Sequence, residues 1–163
     1  MKNLYVVRHA KSSWVDFTKS DFERTLNERG IRDAPEMAGR ILKRGVYIDA
    51  FVSSTAVRAK ETCKIFCNAF GSNAEKIIFM DKLYNASLNT FYEVVRSLDD
   101  RYSNVIIFSH NPGISDFANS LCENIRVGNI PTSGVFGIES PVKEWKKFKE
   151  MENQYLFFDY PKS

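Results

Sequence analysis

An α/β domain is the fold class this sequence predicts, and three observations predict it. Apolar runs alternate with helix-period segments along the whole chain. A length of 163 residues is that of one domain, long enough to bury a real core. The composition, 44% apolar and 26% charged with 13 Phe and 7 Tyr, is that of a globular chain and excludes disordered and fibrous architectures.

The elements follow in order. Lys2 or Asn3 to Val7 reads as a buried first strand. Asn27 caps a helix from Glu28 to about Lys43, with Ile31, Met37, Ala38, Ile41 and Leu42 at roughly helical spacing and Gly45 as its stop. Pro35 is expected to kink or restart that helix, with Asp33 as the alternative cap. Ala50 to Ser53 is a short second strand, Thr55 to about Phe70 a helix before Gly71, and Lys76 to Met80 a third strand. Asn89 to about Leu98 is a helix carrying Phe91, Val94, Val95 and Leu98 on one side. Val105 to Phe108 is the clearest buried strand. Pro112 to about Cys122 is a further helix, since proline suits a first turn. Val135 to Glu139 and Gln154 to Phe158 read as late strands, and Trp145 to Met151 fits helix or strand equally. The one long loop, Lys11 to Leu26, is polar and aromatic, and its length marks it as a site loop.

The net charge of +3 favours an anionic substrate weakly and does not argue for nucleic acid. Cys63, Cys67 and Cys122 form no even framework, and no secretory signal is visible, so a reducing cytoplasm is expected. No apolar run approaches the roughly 18 residues of a membrane span, so no membrane partner is expected. Asn85-Ala86-Ser87 matches a glycosylation acceptor, which carries no weight without a secretion signal.

Both histidines of the chain directly follow strand runs: Leu4 to Val7 leads to Arg8-His9, and Val105 to Ser109 leads to His110. In open α/β sheets ligands bind beyond the carboxyl ends of the strands, so both imidazoles are expected in one crevice. A single such histidine is more often structural; two at matching positions, one beside an arginine, point to a site. After the second strand, Ser53-Ser54-Thr55-Ala56-Val57-Arg58 places another arginine at a helix start, where free backbone N–H groups favour anions. Guanidinium groups grip phosphate oxygens in a planar fork, so two arginines, two histidines and a helix terminus define a phosphoryl pocket.

Other phosphate chemistries are excluded by inspection. No cysteine has arginine at the spacing of a cysteine phosphatase loop; Ala69, Asn73 and Gly128 stand there. No Gly-x-x-x-x-Gly-Lys loop or Gly-x-Gly-x-x-Gly turn occurs. With two distant histidines and no dense carboxylate cluster, no metal site is expected. Cys63 and Cys67, one helical turn apart, read as core residues.

Arg8-His9-Ala10 resembles the Arg-His-Gly motif of the histidine phosphatase superfamily, which includes the phosphoglycerate mutases. Ser53-Ser54 through Arg58-Ala59 to Thr62 resembles its second motif, and Ser109-His110-Asn111-Pro112-Gly113 its third. The strings Arg8 to Trp14, Leu26 to Gly30 and Pro131-Thr132-Ser133-Gly134 are similar to the small SixA-type phosphohistidine phosphatases. Ala10 departs from the superfamily's glycine. Leu83 to Ser87 occupies the region where the wider superfamily often places the carboxylate that protonates the leaving group. Asn85 cannot do so, which leaves that acid open, with Asp16, Asp81 and Asp116 as alternatives.

The resemblance implies a three-layer α/β/α sandwich around a largely parallel sheet, phosphoglycerate mutase-like, with residues 1–163 as one histidine phosphatase domain. It implies that His9 attacks phosphorus and that Arg8, Arg58 and His110 hold the phosphoryl oxygens. No metal or organic cofactor is implied. His110 has to donate a hydrogen bond while His9 stays unprotonated, so separated pKa values are expected. Ser12, Thr132 and Ser133 are further candidates for phosphate contacts. The implied partner is a phosphorylated protein, because the chain is too short for a large capping insertion; a small phosphorylated substrate, acted on by a phosphatase or mutase, is the alternative. From a different class, a non-catalytic phospho-binding module would not need a free imidazole nucleophile. The oligomeric state is not legible.

Overall fold

Leu4-Tyr5-Val6-Val7 and Val105-Ile106-Ile107-Phe108 are continuous apolar runs, the pattern of strands covered on both faces. In the computed structural model, which describes residues 1–162, they form the middle of a six-stranded sheet. Its strands are β1 (Lys2–Arg8), β2 (Ala50–Ser53), β3 (Ile78–Phe79), β4 (Asn104–Ser109), β5 (Val135–Ser140) and β6 (Gln154–Asp159). The order across the sheet is β3-β2-β4-β1-β5-β6. The first four strands are mutually parallel, whereas on the other edge β5 runs antiparallel to β1 and β6 antiparallel to β5.

Alternation along each strand divides the core in two. Tyr5, Val7, Phe51, Ile106 and Phe108 face one layer, formed by helices α1 (Glu28–Lys43) and α2 (Val57–Ala69). Leu4, Val6, Val52, Val105 and Ile107 face the other, formed by α3 (Leu88–Arg96) and α4 (Gly113–Ser120). The three-layer sandwich expected from the sequence is therefore present. Cys63 and Cys67 are buried in the first layer, as their spacing implied.

One local reading of the first helix holds and several others change. Asn27 caps α1, its side chain accepting from the Gly30 N–H at 2.9 Å. The helix runs on through Pro35 without restarting. Asp33 is therefore no cap; it is buried and ion-paired to Arg29 and Arg32. The apolar stripe of α1 is Gly30, Ala34, Met37, Ala38 and Ile41, while Ile31 is 58% exposed and Leu42 39%. Packing against the sheet and α2 chose the narrower stripe. The third strand keeps only Ile78 and Phe79, because at the sheet edge it has one neighbour to pair with. Trp145–Met151 is neither helix nor strand: a single 3-10 turn, Trp145–Lys147, plugs the fully buried Trp145 into the second layer.

The long loop from Lys11 is closed by an antiparallel bridge between Ser12 and Leu26 and contains a 3-10 turn, Asp21–Glu23. Its first residue lies hard against α1: a Cβ on Gly30 would come 2.2 Å from the Lys11 carbonyl oxygen. Gly30→Ala is thus expected to destabilise the fold by roughly 1–3 kcal/mol. At Gly39, where a Cβ meets nothing within 4 Å, the same change should stabilise by about 0.5–1 kcal/mol. Chemical denaturation of the two variants, which must move in opposite directions, checks this.

Candidate active site

The end of the β1–β4 ladder sets the site. Arg8 lies opposite Ser109, and the His9 N–H donates to the Ser109 carbonyl at 3.1 Å. The next residue of each strand is a histidine, and the two rings lie with centroids 5.1 Å apart. Arg58 is the second residue of α2, where a side chain leans back toward the helix start and so toward the strand ends. Together they line a crevice of about 320 Å³ that also takes in Ser12 and Thr132. Depressions of about 550 and 650 Å³ elsewhere are larger but hold no histidine.

Six of the seven sequence candidates therefore converge: Arg8, His9, Ser12, Arg58, His110 and Thr132. Ser133 does not. Its side chain is fully buried with an unpartnered hydroxyl, and its contribution is by main chain, its N–H donating to the Arg8 and His9 carbonyls at 3.0 and 3.2 Å. It does so from the left-handed region, at φ 64°.

His9 is 6% exposed, and its hydrogen bonds define its tautomer. Nδ1 lies 2.7 Å from the Ala10 carbonyl, which can only accept, so Nδ1 carries the proton. Nε2 lies 3.3 Å from Arg58 Nε, which can only donate, so Nε2 presents its lone pair. Burial pushes the imidazole pKa down to about 3; the Ala10 bond opposes this, and the charges of Arg58, Arg8 and Arg24 add to it. The ring is neutral at any ordinary pH.

His110 differs from expectation. Burial, then His9 and Arg58, lower its pKa to about 3 as well. The two values are not driven apart, because both rings are buried side by side and near the same arginines. His110 Nε2 pairs with Ser54 Oγ at 2.8 Å, and Nδ1 is buried without a partner. As a neutral ring it still has one N–H to donate, so protonation is not needed for a contact to an anion.

The loop contributes residues that sequence reasoning missed. Asp21 Oδ1 accepts from Arg24 Nε and Nη2 at 3.1 and 3.0 Å; Oδ2 accepts from Arg58 Nη2 at 3.0 Å and from the Tyr84 hydroxyl at 2.5 Å. Arg24 also donates to Ser12 Oγ, and its guanidinium stacks 3.5 Å from the Trp14 ring centroid. Partial burial would raise the Asp21 carboxyl, but the bonds from Tyr84, Arg24 and Arg58 outweigh it and hold the pKa at about 2. Loop length alone flagged this region; nothing in the sequence singled out Asp21 or Arg24. Tyr84 meets the His110 ring edge-on, with centroids 5.5 Å apart.

Thr62 was legible only as part of a motif. Its hydroxyl accepts from the Ala10 N–H at 2.9 Å and donates to the Arg58 carbonyl at 2.8 Å, tying the His9 strand end to α2. Asn85 does line the crevice, at φ 57°. None of the alternative acids does: Asp81 is bonded to Thr55 and Asp16 to Thr18, and Asp116 lies in the first turn of α4. No group of three or more side chains suited to a metal ion converges among the described residues.

Sheet order, strand-end histidines and paired arginines define a phosphoglycerate mutase-like histidine phosphatase fold. The chain belongs to the histidine phosphatase superfamily, branch 1, whose family model matches residues 4–97. An uncharacterised protein of Mycobacterium leprae is 28% identical over 96% of this chain and all of its own length. A protein assigned as the phosphohistidine phosphatase SixA from Agrobacterium tumefaciens superposes with a TM-score of 0.81 at 25% identity, over 98% of both chains. The protein histidine phosphatase SixA complexed with tungstate shares the fold at 16% identity, with a TM-score of 0.82 over 98% of this chain and 97% of that one.

Two predictions follow from this geometry. Thr62→Val strands the buried Ala10 N–H, which should cost about 1–3 kcal/mol of stability and lower kcat by loosening His9; denaturation and steady-state kinetics read both. His9 and His110 have folded pKa values near 3 and an unfolded value near 6.5, so below pH 6.5 the unfolded state binds more protons. Their contribution is complete above about pH 6.5 and is lost as pH falls toward 3. Between pH 6.5 and 5 the loss should be on the order of 2–4 kcal/mol, measured by urea denaturation at the two pH values.

Proposed function

We propose that this chain is a metal-independent phosphatase that passes a phosphoryl group through His9, with phosphohistidine on a protein as its substrate. The observation that carries the reading is the tautomer of His9. A buried neutral imidazole whose Nδ1 proton is held by a carbonyl has its Nε2 lone pair ready for in-line attack on phosphorus.

In that attack the bond from Nε2 to phosphorus forms as the bond to the leaving group breaks. Arg58 Nε shifts from the lone pair to a phosphoryl oxygen, and Arg8 and His110 face the same group. Fixed donors aimed at the transferring charge supply most of the rate enhancement in such reactions. Water then attacks phosphorus, returning the electron pair to Nε2 and releasing inorganic phosphate.

The leaving group supports a nitrogen–phosphorus substrate. The Asn85 carboxamide is no acid and cannot transfer a proton, and Asp21, the one carboxylate lining the crevice among the described residues, is ionised at neutral pH. An alkoxide needs a positioned acid to depart; an imidazole, which can take its proton from solvent, does not. A protein substrate is favoured because the crevice is lined by a strand end, a helix start and loops, with no inserted element over it among the described residues and Trp14 65% exposed at its rim.

The test compares kcat/KM for a phosphohistidine peptide and an alkyl phosphate. The missing acid should penalise the alkyl ester by a factor of about 10²–10⁴, and equal values would overturn the substrate assignment. His9→Ala should abolish turnover, and acid-labile phosphate should be trapped on the wild type alone.

A further inference from the structure

Arg8, Lys11, Arg24 and Arg58 line the crevice against a single carboxylate, Asp21, among the described residues. A carboxylate inside an anion pocket opposes what the pocket is for, so its partners matter. Arg58 gives Asp21 both ends of its guanidinium fork: Nη1 donates to the Asp21 main-chain carbonyl at 2.6 Å and Nη2 to Oδ2 at 3.0 Å. With Nε on His9, all three nitrogens of Arg58 are engaged. Arg24 gives Asp21 Oδ1 a second two-pronged contact through Nε and Nη2. Planar forks of this kind are what phosphate oxygens take up bidentately.

The partners differ in freedom. The Arg58 side chain is 6% exposed and held in the crevice wall, whereas that of Asp21 is 45% exposed and sits on the loop that rims it. When an anion enters, the carboxylate is the group able to turn out to solvent. We propose that Asp21 is an internal counter-anion, a positioning residue that occupies the phosphate-binding forks of Arg58 and Arg24 between turnovers and competes with phosphate for them. Its effect is to limit how tightly the inorganic phosphate product is held. The inference rests on the reading that His9 and Arg58 receive a phosphoryl group.

The charge is present whenever the enzyme works, since the donors from Tyr84, Arg24 and Arg58 keep the carboxyl ionised far below neutral pH. A carboxylate that only oriented the arginines would predict the opposite effect on its removal. Without it the forks would be misplaced and anions would bind less well. The sign of the change in affinity therefore separates the two roles.

Asp21→Asn keeps the shape and removes the charge. Inorganic phosphate binding, measured by calorimetry on wild type and variant at low ionic strength, should tighten by about threefold to tenfold in the variant. Product inhibition of phosphohistidine hydrolysis should strengthen in parallel. Unchanged or weaker phosphate binding overturns the counter-anion role while leaving His9 chemistry intact. A wild type that neither binds phosphate nor turns over phosphohistidine overturns the underlying reading together with this one. Should the variant fail to fold, the wild type supplies the same decision: the Asp21 carboxyl carbon resonance must shift on saturation with phosphate as it loses its guanidinium donors, and a resonance that stays in place overturns the proposal.

Discussion

β1 and β4 pair in parallel from Asn3 opposite Asn104 to Arg8 opposite Ser109. The ladder bonds that align the two strands also align what leaves them, so His9 and His110 emerge at one level with their rings 5.1 Å apart. A slip of one residue in this register would turn one of the histidines to the opposite face of the sheet. The helix layers on both sides press against these central strands, and the fully buried Val6, Val7, Ile106, Ile107 and Phe108 give the register its energy.

The same burial sets the chemistry. A histidine at a strand end in water would titrate near its ordinary value, but these two are buried beside Arg58 and Arg24, and both are held neutral. For His9 that neutrality is a nucleophile's requirement. For His110 it shifts the work from charge to hydrogen bonding. Positive charge in the crevice therefore comes from the guanidinium groups and the Lys11 ammonium rather than from an imidazolium, and Thr62 and the Ser133 N–H hold the chain segments that carry Arg58 and Arg8 in register.

Asp21 links the loop to this framework. One side chain bridges Arg24, Arg58 and Tyr84, drawing together groups from the loop, from α2 and from the segment before α3. The loop, anchored in the first core layer by the buried Leu26, is thereby part of the electrostatics of the crevice.

The central strands, the two helix layers, and the convergence of Arg8, His9, Arg58 and His110 were legible in the sequence. Short continuous apolar runs rich in β-branched and aromatic residues, set in an α/β order, read as buried strands, and residues that directly follow such strands share the crevice at their carboxyl ends. Edge features were less legible, as the two-residue β3 and the exposed Ile31 and Leu42 show, because pairing and burial there depend on which neighbour happens to pack. Asp21, Arg24 and Tyr84 were not legible at all. Their meeting is made by loop closure between Ser12 and Leu26 and by side chains distant in sequence, and no local pattern encodes such a contact. The low pKa of His110 likewise belongs to the tertiary structure alone, since it comes from water being excluded and arginines being brought close.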